Sequence, residues 1–417
     1  MKTSNNTNLS FAFIASLFPL GGLLYSIWYY RKPYAKVLFY VFCIFVGYTF
    51  VYQMEGTEIG TGIDSARYVR SLMHAHLYQM SWSQAMEFHG SVDYYSGTIT
   101  FLLSRFTANG KILFLVYAAI MGFFLTQNLW FVIERLKGAV SRPTVTLLVL
   151  LALVCPIWLV NGVRMWTALH VFLYGVLRFI YNGKKNNLIW PFVSIFIHFS
   201  FLLPFIFLVF YIIKPIKNTN FYFWFFIVSF FITEIDFGFI RDLLTIYLPE
   251  SMQPRIGYID ENYMVRAQEA VESRSIHVRY RREAYKYIVF VLGTVAHYQI
   301  KSSKIQVPEW IEDLFRFSLF FYGVSVIMSI APTGHRYLLL ANSFILSCFV
   351  FLTNINGFFL LRKTTRMLFP FLLLLILIEI RMGLGFLGPI TFFGNFIVAT
   401  LFEVNIPIII FLKDLLI

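Results

Sequence analysis

Two ionisable side chains sit where the chain is least able to hold them. Between Val160 and Pro204 the sequence reads VNGVRMWTALHVFLYGVLRFIYNGKKNNLIWPFVSIFIHFSFLLP. Arg164 stands at the join of two apolar runs, and His198 lies inside a third run with no other charged group. A charged residue at membrane depth costs about 2.5–3.5 kcal/mol on insertion, so it marks a functional site by default. A guanidinium offers a planar fork of donors that fits a phosphate, and an imidazole can give or take a proton near neutral pH. The pair predicts a site for an anionic ligand. The competing reading of His198 is a core histidine satisfied by its neighbours.

Other candidates lie nearby in the sequence. Asp64 and Arg67 are three apart in GIDSARY, share a face if helical, and either pair with each other or hold a hydroxyl and a phosphate. Asp64, Asp93 and His198 are the candidates for accepting a proton, a step to which a positioned side chain contributes about 10²–10⁴-fold. Arg336 follows His335 in the short bend APTGHRY, a setting like that of Arg164. His74, His76, Glu87 and His89 match no standard ligand spacing, so no metal is expected. No nucleotide loop, G-x-S-x-G elbow or H-E-x-x-H is present.

The elements that must position these groups follow from composition. The 417 residues are 59% hydrophobic and 13% charged, against about a quarter charged in soluble domains. Apolar stretches long enough to span a bilayer recur from end to end. The chain therefore reads as an all-α polytopic membrane protein, residues 1–417 forming a single integral domain with about 11–13 transmembrane helices. Cys43, Cys155 and Cys348 fall in apolar runs and read as core thiols. The net charge of +13 is largely the basic decoration of cytoplasmic links such as RKPYAK, ERLKGAVSR and NGKKNN.

Those links alternate correctly only if the run from Leu188 to Ile213 is a re-entrant or broken helix pair, so that KPIKN stays cytoplasmic. His198 and Pro204 suit such a break. External loops then cover about 55–107, read as short interfacial helices, and 249–283, rich in acids, arginines and tyrosines. The outer side also collects Arg67, Arg70, Arg105, Arg164, Arg255, Arg266, Arg274, Arg279, Arg281, Arg282 and Arg336. That excess opposes the positive-inside rule and suggests an anionic ligand approaching from the outer leaflet. Pairing with external acids is the alternative, and the preferred one for the run Arg266–Arg282.

Gly62, Asp64 and Tyr68 after the second helix, then SGTITFLLSRF-TANGKILFLVYA, then NGVRMWTALHVFLYGVLRF followed by FIHFSFLLPF, resemble the EpsG-type polysaccharide polymerases of the Wzy class. The likeness covers the first half and carries over Asp64, Tyr68, Arg164, His198 and Ser200; the second half matches as helices plus Arg336. Met165 stands where the family usually has Gln, and Asp93-Tyr94-Tyr95 where it often has Glu-Pro.

The resemblance implies a GT-C-like membrane glycosyltransferase at the outer face of a bacterial cytoplasmic (inner) membrane. It would join oligosaccharide repeats carried on undecaprenyl pyrophosphate, as both donor and acceptor, into an O-antigen, capsule or exopolysaccharide. No cofactor, metal or nucleic acid is implied; a protein that regulates chain length is an open partner. Arg164, Arg336 and Arg67 would hold the pyrophosphate, and Tyr68 and His335 complete the site. An O-antigen-type ligase shares this chemistry but serves another acceptor. A lipid-linked oligosaccharide flippase would show two similar halves and midplane charges, and neither is seen.

Overall fold

A computed structural model describes residues 10–52 (apart from 12), 63–88, 93–213, 216–232, 246, 276–302, 305–331 and 334–416. Among the described residues the chain is helical without strands; one isolated bridge joins Phe50 and Leu387. The principal helices in chain order are α1 (Pro19–Trp28), α2 (Pro33–Tyr48), α3 (Ile63–Leu77), α4 (Tyr94–Ser104), α5 (Gly110–Ile133), α6 (Arg142–Val154), α7 (Val163–Asn182), α8 (Ile189–Ile197), α9 (Leu202–Ile213), α10 (Thr219–Ser229), α11 (Ile276–Ser302), α12 (Glu309–Met328) and α13 (His335–Asn354). They fall into two compact units, Met1–Leu136 with Cys155–Phe205 and Glu379–Ile417, and Lys137–Val154 with Ile206–Ile378.

Among the described residues, three stretches are long and apolar enough to cross a membrane: Gly110–Ile133, Arg142–Asn182 and His335–Asn354. Helix α5 shows why. Asn109 caps it by accepting from the Lys111 N–H at 2.8 Å, and no proline or charged residue interrupts the next 22 positions. Its 24 residues reach about 36 Å at 1.5 Å per residue, more than the ~30 Å hydrocarbon core. Pro33 opens α2, where its missing N–H costs nothing.

In the first unit, α2 and α5 meet along small residues. A Cβ on Gly122 would lie 2.6 Å from Cys43 Cβ, and one on Gly47 would collide with Ala118 Cβ and the Phe114 carbonyl. Cys43 and Gly47 are one turn apart on α2, as are Ala118 and Gly122 on α5, so each helix presents a small-xxx-small face to the other. Gly47→Val is expected to destabilise the protein by about 1–3 kcal/mol, the usual cost of overpacking. A lowered midpoint of thermal unfolding in detergent would register it, and an unchanged one would mean that the helices need not approach so closely.

The expected interfacial stretch forms three short helices, Ile63–Leu77, Trp82–Phe88 and Tyr94–Ser104. Ile63–Leu77 carries Asp64, Arg67, Arg70, His74 and His76, a composition costly at membrane depth. The expected outer bend NGVR is not a loop. Residues Ile157–Gly162 form a 3-10 helix that runs directly into α7, which makes Arg164 the second residue of that helix. At the other end Gly183 adopts φ 66 and closes α7 with its N–H on the Phe179 carbonyl.

The run from Leu188 to Ile213 is broken. Helix α8 ends at Ile197, His198 is extended at φ −149, ψ 115, a 3-10 turn covers Phe199–Phe201, and α9 begins at Leu202. Pro204 falls in the first turn of α9, where its ring and absent N–H are tolerated. At Gly175 a Cβ would meet Asn187 O at 2.6 Å and Trp190 Cβ at 2.9 Å, so α8 starts hard against α7.

Candidate functional site

Three segments of the first unit meet at one carboxylate, and a fourth joins them through an arginine. Asp93 precedes α4 in the N-cap position, yet its side chain makes no cap bond to its own helix. It turns instead toward two other segments. Oδ2 accepts from Arg164 Nη1 at 2.9 Å, and Oδ1 accepts from the Phe199 N–H at 2.8 Å. Asp93 is 3% exposed and the Arg164 side chain 20%. The second contact explains the broken helix: the N–H released at the His198 break, in an apolar setting, is taken up by a carboxylate.

Arg164 uses its fork as two separate donors. Nε donates to Tyr68 Oη at 3.1 Å while Nη1 serves Asp93. Among the described residues Nη2 has no hydrogen-bond partner. Tyr68 reaches in from α3, 2% exposed, its ring edge-on to Tyr117 with centroids 5.9 Å apart; Tyr95 continues this aromatic stack at 5.8 Å from Tyr117.

His198 joins the same group. Its Nδ1 lies 3.8 Å from Asp93 Oδ2 and accepts from the Ser200 N–H at 3.3 Å, with Ser200 Oγ at 3.2 Å. An Nδ1 that accepts leaves the proton of the neutral ring on Nε2. Ser200 Oγ also lies 3.7 Å from the Met165 sulfur, so the methionine noted in the sequence still contacts this break.

Tyr68, Asp93, Arg164, His198 and Ser200 therefore form one constellation, from residues up to 132 positions apart. Asp64 and Arg67 stand one turn before it on α3 and pair with each other at 2.9 Å, both 51% exposed. The pairing reading of those two residues describes their geometry. Arg105 is likewise engaged: it donates to the Met80 carbonyl and to Gln79 Oε1 at 3.2 Å. His335 and Arg336 open α13 in the second unit.

The described histidines of the 74–89 cluster have other occupations. His74 stacks on Tyr78 at 5.7 Å and His76 Nδ1 lies 2.6 Å from the Ser104 carbonyl. Gly62, His89, Arg255, Arg266 and Arg274 lie outside the described residues, with most of the expected 249–283 loop.

The sequence did not reveal Asp93 as the hub, nor Tyr95 and Tyr117 behind Tyr68. The available signal was a set of tyrosine hydroxyls in apolar surroundings, since such groups at membrane depth are there to bond across helices.

A family model described as the EpsG family matches residues 54–384, about four-fifths of the chain and well past the first half in which the motifs were read. It takes in every residue of the constellation. No curated protein and no solved structure gives a match.

Proposed function

The chain belongs to the EpsG family, and from that premise we propose that it is a membrane glycosyltransferase polymerising undecaprenyl-pyrophosphate-linked oligosaccharide repeats at the outer face of the bacterial cytoplasmic membrane. The observation that carries this reading is the Arg164–Asp93–Tyr68–His198 constellation, a guanidinium held in place by two partners beside an imidazole in a helix break. The broken pair α8–α9 is read as re-entrant, and the architecture as GT-C-like.

In the reaction the acceptor sugar hydroxyl forms a bond to the anomeric carbon of the donor glycan, and the bond from that carbon to the lipid diphosphate breaks. Negative charge grows on the departing oxygen. Arg164 meets it with Nη2, and His198 donates through Nε2–H; preorganised donors of this kind contribute most in a site closed to water. Asp93 is a positioning residue, because its lone pairs are spent on Arg164 and Phe199 N–H. The exposed carboxylate of Asp64, one turn from Tyr68, takes the acceptor proton. Arg67 adds positive charge for the diphosphates.

Tyr68→Phe removes one anchor from Arg164 and nothing else. A hydrogen bond to a charged group contributes about 1.5–3 kcal/mol, so polymer output is expected to fall about tenfold with normal protein levels. Unchanged output would remove Tyr68 from the site.

The deciding experiment is glycan chain length in cells lacking the protein. Loss of polymer with accumulation of single lipid-linked repeats supports the polymerase. Long chains left unattached to their final acceptor would indicate a ligase, and no change in either would discard both.

A further inference from the structure

The second unit has a cavity of its own, built from three of its helices. On α11 the residues Arg281, Arg282, Tyr285 and Lys286 recur at i, i+1, i+4 and i+5, which places them on one face. Tyr322 comes from α12, and His335 and Asn342, two turns apart, from α13. These side chains line a space of about 50 Å³. One water needs about 10–15 Å³ of such space, so a tetrahedral anion of a few heavy atoms fits.

Among the described residues Arg282 and Lys286 share one carboxylate, Glu283, at 3.6 and 3.5 Å from Oε1. Arg282 Nη2 also donates to the Ser329 carbonyl at 3.0 Å, a neutral partner that fixes the guanidinium without cancelling its charge. Opposite the cations stand two deeply buried polar groups. Tyr322 is fully buried and Asn342 2% exposed, and neither Tyr322 Oη nor Asn342 Oδ1 has a hydrogen-bond partner among the described residues. Buried polar atoms are nearly always satisfied. Here an arriving group would satisfy them, and the excess of Arg282 and Lys286 over Glu283 among the described residues specifies its sign.

We propose that the second unit carries an anion-binding pocket in which Arg281, Arg282 and Lys286 receive a phosphate-type group against Tyr322 and Asn342. The phenol donates to a phosphate oxygen, the cations supply charge-assisted bonds, and Asn342 Oδ1 accepts from a hydroxyl or water that accompanies the phosphate. The source is either a lipid headgroup or a free phosphate. The pocket goes beyond the proposed reaction and does not require Arg164.

The test uses the full chain in non-ionic detergent, and substitutions in the pocket separate its response from any at Arg164 of the first unit. Thermal unfolding is followed by tryptophan fluorescence against inorganic phosphate, inorganic pyrophosphate, and micelles of phosphatidylglycerol or phosphatidylcholine. A ligand that binds only the folded state raises the midpoint, and a rise of several degrees is expected from at least one phosphate-bearing titrant. A response to the free anions assigns a soluble phosphate, and a response to phosphatidylglycerol alone assigns a lipid headgroup. Arg281→Gln with Arg282→Gln is expected to weaken apparent affinity at least tenfold. Tyr322→Phe, which keeps the ring packed on Phe226 and Phe230, is expected to weaken it severalfold and serves if the double variant does not fold. No rise with any titrant, or a rise that survives these substitutions, overturns the pocket. Failure of the polymerase reading alone would leave the rise intact.

Discussion

Arg164→Lys is expected to lower polymer formation at least 100-fold while the protein still inserts and folds. The native side chain places Nε on Tyr68 and Nη1 on Asp93, 3.1 and 2.9 Å away, and so aims Nη2 along a direction fixed by two bonds. Lysine retains the charge next to Asp93 but offers a single nitrogen on a flexible stem. It can neutralise Asp93 or reach a diphosphate, and it cannot do both with a fixed orientation. Loss of one preorganised donor to developing charge typically costs 10²–10³ in rate. Arg164→Ala is the less informative change: it leaves a buried carboxylate unpaired, which destabilises by about 3–5 kcal/mol, so lost activity could reflect lost protein. The measurement is glycan chain length in a deletion strain complemented with each variant, alongside membrane protein level. Wild-type chain length in the lysine variant would remove Arg164 from the chemistry.

What could be read beforehand was whatever violates the apolar background. Arg164 and His198 stood out because each is ionisable in a run that should reject it, and the break at His198 followed from the alternation of basic links and from Pro204. Less visible were groups whose role depends on distant partners. Asp93 lies 71 residues from Arg164 and 106 from Phe199, and nothing local in SVDYYSG distinguishes a helix cap from a hub. The seam of Cys43, Gly47, Ala118 and Gly122 was equally hidden, because small residues are common in apolar helices and only the facing helix gives them meaning. Asp64 and Arg67 were legible as an i, i+3 pair and are one. The pocket residues Arg281 and Arg282 were absorbed into a charge-rich loop. Their meaning comes from their place on α11, whose helical register gives them one shared face.

Asp93→Asn separates two roles that the sequence left equal for this carboxylate, proton acceptor and positioning group. The amide is nearly isosteric. Its oxygen can still accept from the Phe199 N–H, but its NH₂ then faces Arg164 Nη1, donor against donor, and the guanidinium loses its only carboxylate partner among the described residues. The Phe199 contact also anchors the break that presents His198, 3.8 Å from the same carboxylate. Both arms of the constellation therefore loosen together. With synthetic lipid-linked repeats as substrate, kcat/KM is expected to fall about 10²–10³-fold, and the unfolding midpoint to drop, since an uncompensated buried charge is strongly destabilising. A positioning residue leaves the pH dependence of the residual rate unchanged, whereas removing the proton acceptor would abolish its acidic limb. Asp93→Asn with an intact midpoint and a flattened pH profile would transfer the base from Asp64 to Asp93. A lowered midpoint with an unchanged profile keeps Asp93 as the residue through which the helix break and the arginine are held in one geometry.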